Sequence, residues 1–187
     1  MAELHLNYRQ ASSASTLPAQ AGVFEIEEID GLARYVLRGG TNVMRSISAA
    51  LAMPLDQPLN RAASVGGCSA LHLGPDEWLL LLGSDPANVL ESQIREAAGG
   101  QAYALVDVSH RNVGLRMRGN AVADALASGC PQNLDIEAFP VGKCTRTVYH
   151  KAGIMLWRRE QHEFMLETWR SFVPYLLDYL ARETTLL

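Results

Sequence analysis

Apolar and polar positions alternate and then change period in a fixed order along this chain, and that order recurs in its second half. Val23 to Ile29 and Leu32 to Leu37 alternate as strands do, and the Asp30-Gly31 pair between them predicts a tight hairpin. The spacing of Val43, Ile47, Ala50 and Leu51 then predicts a helix capped by Thr41 or Asn42. After a loop at Pro54 to Pro58, a strand through Ala70 to Leu73 meets the Gly74-Pro75-Asp76-Glu77 turn and returns as Trp78 to Leu82. The unbroken apolar run of that last strand predicts burial on both faces. Asp85 and Pro86 suit the first positions of a helix whose Val89, Leu90, Ile94 and Ala97 face inward, and Gly99-Gly100 ends it.

The second half begins with strands at Tyr103 to Val108 and Val113 to Met117 and a helix from Asn120 to about Ser128. Strands at about Cys144 to Tyr149, Ile154 to Arg158 and His162 to Leu166 follow. Ser171 caps a last helix with the stripe Phe172, Tyr175, Leu176, Tyr179 and Leu180. The halves align without a gap when residue n is set against residue n+79: Gly40 on Gly119, Val43 on Val122, Leu55-Asp56 on Leu134-Asp135, Gly74 on Gly153 and Trp78 on Trp157. The chain therefore reads as a duplicated α+β unit with mainly antiparallel sheets, residues 22–100 forming one unit and 101–187 the other. Residues 40–82 should superpose on 119–161 with the two tryptophans equivalent. Residues 1–21, rich in Ala and Ser and without either period, read as an N-terminal arm that needs a partner to order it.

Composition narrows the function. The 187 residues are 48% hydrophobic, enough for a sizeable core, and 16 basic against 20 acidic residues give a net charge of −4 with no Lys/Arg block. Nucleic acid is not the expected partner. Cys68, Cys130 and Cys144 are odd in number and lack a Cys-x-x-Cys pair, which argues against a disulfide framework and structural zinc and for a reducing compartment. Glu3 and Arg9 interrupt the N-terminal segment and no apolar run approaches bilayer length, so the expectation is a soluble cytoplasmic protein with no membrane partner.

Candidate chemistry is sparse. Asp107, Ser109 and His110 suggest a hydrolase triad, yet neighbours on a strand point to opposite faces and cannot converge. His72 alternates with leucines, and His5, His150 and His162 have no acidic or cysteine partner at ligand spacing. Gly39-Gly40, Gly66-Gly67 and the interval Gly114 to Gly119 lack the dinucleotide and phosphate-loop fingerprints and read as turns and bulges. Cys130 and Cys144 read as small buried apolar residues, and Trp78 and Trp157 as core. No catalytic, cofactor-binding or metal-ligating residue is assigned. Trp169 and Arg170, just before the last helix, are the candidate partner contacts, because Trp and Arg are enriched at interfaces.

GPDEWLLLL (74–82), VDVSH…VGLRMRG (106–119), FPVGKCTRT (139–147) and the WRSF before the final helix together resemble the gamma subunit of heterotetrameric sarcosine oxidase, in order and spacing, from about residue 22 to the end. The resemblance implies a small subunit of a bacterial flavoenzyme that oxidatively demethylates sarcosine and passes the methyl carbon to tetrahydrofolate. It implies large, medium and smallest partner subunits, with FAD, FMN, NAD, the folate site and zinc all held by those partners and none by this chain. Residues 107–119 are also distantly similar to the glycine-cleavage aminomethyltransferase. That family places an Asn-Asp pair, whose acid serves folate chemistry, after the helix, where this chain has Ser128-Gly129-Cys130-Pro131. The implied fold is α+β, with ferredoxin-like halves in a folate-binding aminomethyltransferase-like arrangement. The implied role is non-catalytic and structural; the alternatives are an independent folate-binding protein or the matching subunit of a related N-methyl amino acid dehydrogenase.

Overall fold

The computed structural model describes residues 24–83 and 87–186. The arm at 1–21 and the Asp85-Pro86 helix start lie outside the described residues.

Among the described residues, ten strands and four helices follow in the order β1 (Glu25–Ile29), β2 (Ala33–Gly39), α1 (Thr41–Leu51), β3 (Ala62–Val65), β4 (Cys68–Gly74), β5 (Glu77–Leu82), α2 (Ala87–Ala98), β6 (Tyr103–Asp107), β7 (Asn112–Arg118), α3 (Val122–Ala127), β8 (Cys144–Tyr149), β9 (Ala152–Glu160), β10 (Glu163–Trp169) and α4 (Val173–Leu186). They form two five-stranded sheets, ordered β3-β4-β5-β2-β6 and β1-β7-β10-β9-β8. The ladders within both sheets are antiparallel.

Alternation along each strand sorts side chains into three cores. Tyr35, Leu37, Trp78, Leu80 and Leu82 meet Val43, Met44 and Ile47 of α1 and Leu90 and Ile94 of α2. Val113, Leu115, Met117, Phe164 and Leu166 meet α3 and α4 on the outer face of the second sheet. Leu71, Leu79, Leu81, Cys144, Met155, Trp157 and Met165 form the third core, between the sheets. The layers are thus helix, sheet, sheet, helix. The continuous apolar run of β5 is covered on both sides, as its pattern predicts. On α2, Leu90 and Ile94 are buried, but Val89 is 42% exposed.

The strands β2, β4, β5 and β6, with α1 and α2 between them, have ferredoxin-like connectivity and sheet order. The second unit repeats it with β7, β9 and β10, but its fourth strand is β1, from the other end of the chain. The expected hairpin at Asp30-Gly31 does not form. Gly31 does adopt the left-handed conformation, at φ +72°. There the chain leaves one sheet for the other: Ile29 pairs with Gly114, and Ala33 pairs with Leu82. Local turn chemistry marks the reversal but does not choose the pairing partner.

Trp78 and Trp157 are not equivalent. Trp78 lies beside Leu37 on the helix-facing side of β5, with the His72 ring stacked on it at 4.4 Å. The matching place in the second sheet, beside Met117, belongs to Phe164, which carries the Arg158 guanidinium at 4.5 Å. Trp157 faces the other way, into the core between the sheets. The connection from α3 to β8 is longer than that from α1 to β3, which slides the second copy along. Side chains on a strand alternate with period two, so such a slide decides which face a residue occupies. The shift of 79 survives only from the first helix of each unit to that slide, where Val43 and Val122, and Leu55 and Leu134, are buried alike.

Helix starts also differ from expectation. Gly40, not Thr41 or Asn42, is the N-cap of α1 and supplies no side-chain bond. Ser171 sits within a single 3-10 turn, Arg170–Phe172, that leads into α4. β3, unmarked in the sequence pattern, is joined to β4 by Gly66 and Gly67, both at positive φ, 59° and 82°.

Candidate functional site

The chemistry of this chain gathers between its two sheets. Arg34 of β2 faces Glu167 of β10, their side chains 5% and 1% exposed, and Arg34 Nε donates to both carboxylate oxygens at 2.9 and 2.8 Å. The remaining guanidinium nitrogens donate to the carbonyls of Leu32 (2.9 Å) and Ile29 (3.4 Å), so the Arg34 fork bridges both sheets. Burial pushes the Glu167 carboxyl above its ordinary range while the Arg34 charge and hydrogen bonding pull it back. Gly114, the cross-strand partner of Glu167, makes this possible: a Cβ there would stand 2.6 Å from Glu167 Oε1. Neither Arg34 nor Glu167 stood out in the sequence. The available signal was a charge within each of two otherwise buried strands, where an unpaired ion is costly.

Toward the end of β10 the sheets part and leave a cavity of about 500 Å³. Val36 and Leu79 line it on one side, Gly153, Met155 and Thr168 on the other, and Arg111, Arg146, Trp169 and Phe172 at its mouth. Trp169, expected as a partner contact, is 54% exposed. The Arg111 guanidinium lies over its ring at 5.8 Å and Phe172 flanks it at 6.2 Å. Arg170 is fixed differently. Its backbone N–H donates to the Arg111 carbonyl at 2.8 Å and its Nε to the His110 carbonyl at 3.2 Å. Of the two expected partner contacts, Trp169 lines this cavity and Arg170 does not; the cavity itself was not legible in the sequence, because it depends on long-range packing.

The other candidate residues do not converge. Asp107 Oδ1 accepts from the Ser109 backbone N–H at 2.8 Å, and Ser109 Oγ accepts from the Arg34 backbone N–H at 2.9 Å, an arrangement that latches the β6–β7 connection to β2. Hydrogen bonding from Ser109 holds the Asp107 carboxyl below its ordinary range. His72 Nδ1 meets the Gln57 carbonyl at 2.8 Å, where it acts as donor, and the His150 ring packs against Tyr149 and Tyr179. Among the described residues no group of three His, Cys, Asp or Glu side chains is placed to hold a metal ion. No helix among them is long and apolar enough to cross a membrane. At Gly129, a Cβ would lie 2.8 Å from ring atoms of both His150 and Tyr149, and Cys130 beside it is buried.

All three cysteines are free thiols. Burial pushes Cys144 up to about 12 against the lowering effect of Arg61, so its thiolate is scarce near neutrality. Cys130 is buried and Cys68 only partly so. At about pH 8, a thiol reagent is expected to modify Cys68 rapidly and to reach the other two only after denaturation. Time-resolved labelling followed by peptide mass mapping checks this, and rapid native modification of Cys144 would contradict the burial described.

The sequence matches the model of the family described as Sarcosine oxidase, gamma subunit family, over residues 41–185. It is 29% identical over 119 residues to the sarcosine oxidase subunit gamma of Corynebacterium sp. strain U-96, a stretch spanning 64% of this chain and 57% of that one. The structure resembles a chain of heterotetrameric sarcosine oxidase from Corynebacterium sp. U-96 in complex with pyrrole 2-carboxylate, with a TM-score of 0.80, 24% identity, and coverage of 87% of this chain and 84% of that one. It also resembles glycine cleavage system aminomethyltransferase T from Bartonella henselae, with a TM-score of 0.63, 12% identity, and coverage of 85% and 45%. The fold is therefore the duplicated α+β arrangement that these two structures contain.

Proposed function

Because this chain belongs to the sarcosine oxidase gamma subunit family, we propose that it is a small non-catalytic subunit that packs on and stabilises a bacterial heterotetrameric sarcosine oxidase. Its partners in this reading are the large, medium and smallest subunits, in the cytoplasm, and those partners hold FAD, FMN, NAD, tetrahydrofolate and zinc. The family match over residues 41–185 carries the reading. Two features of the geometry support it. Trp169 is exposed yet held on both sides, so docking it costs little side-chain entropy, the property that makes such residues interface anchors. At Gly129-Cys130, where the resemblance to aminomethyltransferases implies an Asn-Asp pair, neighbouring rings occupy the space that a side chain on Gly129 would need.

A subunit that binds only the assembled state stabilises it by mass action. Coexpression of the other three subunits with and without this chain, followed by thermal melting and turnover per bound flavin, tests the role. Omitting the chain should lower assembly yield and melting temperature while leaving turnover per flavin in the assembled fraction largely intact. Trp169→Ala should weaken association by about 2 kcal/mol, roughly thirtyfold in Kd. A stable, fully flavinylated complex without turnover would show that this chain supplies a catalytic group and would overturn the reading.

A further inference from the structure

We propose that the cavity between the sheets binds a small amphipathic carboxylate, its apolar body between Val36, Leu79 and Met155 and its charge on Arg111. Size is the first argument. A cavity of about 500 Å³ at the junction of two packed units has the dimensions and position of a small-molecule site. Its walls are largely apolar because the alternation that builds the core between the sheets continues into it: Met155 shares a face of β9 with Trp157, two residues on, and Val36 sits on the same face as Val106, its cross-strand partner. At the outer end stands Gly153, where a Cβ would meet nothing within 4 Å, so the site stays open by the absence of a side chain.

The sign of the ligand's charge follows from pairing around the cavity. Glu167 is neutralised by Arg34, and Arg146 is ion-paired with Glu77 across the gap. Among the described residues the Arg111 guanidinium engages only the Trp169 face and, through Nε at 3.1 Å, the Asn112 side chain, and no carboxylate pairs with it. A cation at the lip of an apolar slot selects an anion with an apolar body, because the guanidinium fork matches a carboxylate in two bonds. A planar body would also pack against Trp169, whose ring Phe172 flanks at 6.2 Å.

The probe pair is naphthalene-2-acetate and its neutral amide, titrated calorimetrically into the full chain. The carboxylate is expected to bind one site with a Kd of about 0.1 mM and the amide about tenfold more weakly. Gly153→Phe fills the slot from a position with free space and should abolish binding of both compounds, with the melting temperature retained as evidence of folding. Arg111→Gln, at the surface, should bring the carboxylate down to the amide and leave the amide unchanged. Trp169→Ala, also at the surface, should weaken both several-fold and gives an independent readout if the filled variant does not fold. Absence of saturable binding, equal affinity for acid and amide, or full binding by a folded Gly153→Phe protein would each overturn the proposal.

Discussion

Replacing Arg34 with Met is expected to cost about 3–5 kcal/mol of folding stability at about pH 8, because it strands the Glu167 carboxylate in a site where only 1% of that side chain is exposed. The double variant Arg34→Met with Glu167→Met should recover most of this loss, since a buried ion pair roughly breaks even against well-packed apolar residues of similar size. The pH dependence follows from the direction of the Glu167 shift. Burial already places its folded-state carboxyl above the ordinary value. A raised acid contributes stability that is complete below the unfolded-state carboxylate range and is lost as pH climbs through the folded-state value. Without Arg34 the folded-state value rises further, so the variant's deficit should be smaller at about pH 5.5 than at about pH 8, because acidification favours protonating the stranded carboxyl. Urea unfolding of the wild type, both single variants and the double variant at the two pH values measures all of this. A deficit for Arg34→Met that grows on acidification would mean that Glu167 is not the group left unpaired.

That ion pair shows what kind of information a sequence carries. Elements with their own periodic signal, such as β5 and the Leu176-Leu180 stripe of α4, are where the pattern places them. Gly66-Gly67 was legible as a turn, although the short strand β3 before it was not. Pairing is different. β1 and β2 have strand character and a turn between them, the local description of a hairpin, yet each finds its partners in a different sheet. Nothing within those few residues distinguishes the two outcomes, because register is decided by which faces become buried far along the chain. The tryptophan match failed for the same reason: identity at a fixed shift is blind to a longer connection that moves one copy along and onto another strand. At the site, Trp169 could be picked out because residue type alone marks it, whereas Arg34, Glu167, Gly153 and Arg111 gain their meaning only from what stands opposite them.

The strand exchange gives the second large effect, on the independence of the two halves. Cutting the chain between residues 100 and 101 leaves β1 in the first fragment, separated from β7, and β6 in the second, separated from β2. The second fragment then loses Phe24 and Ile26, each 2% exposed in its core, which at about 1.5–3 kcal/mol per buried side chain amounts to roughly 3–6 kcal/mol. It also bares Met155, Trp157 and Met165 on the face that the first sheet covers. Set against total stabilities of about 5–15 kcal/mol for whole domains, that loss leaves little or nothing to hold a fragment together. Neither 1–100 nor 101–187 should therefore unfold cooperatively alone. Mixed, they should recombine into one species with the melting behaviour of the uncut chain, since each carries the strand that completes the other's sheet. Circular dichroism melts of each fragment and of the equimolar mixture, with size-exclusion chromatography of the mixture, decide the matter. Cooperative melting of 101–187 alone would show that its sheet does not depend on the borrowed strand β1.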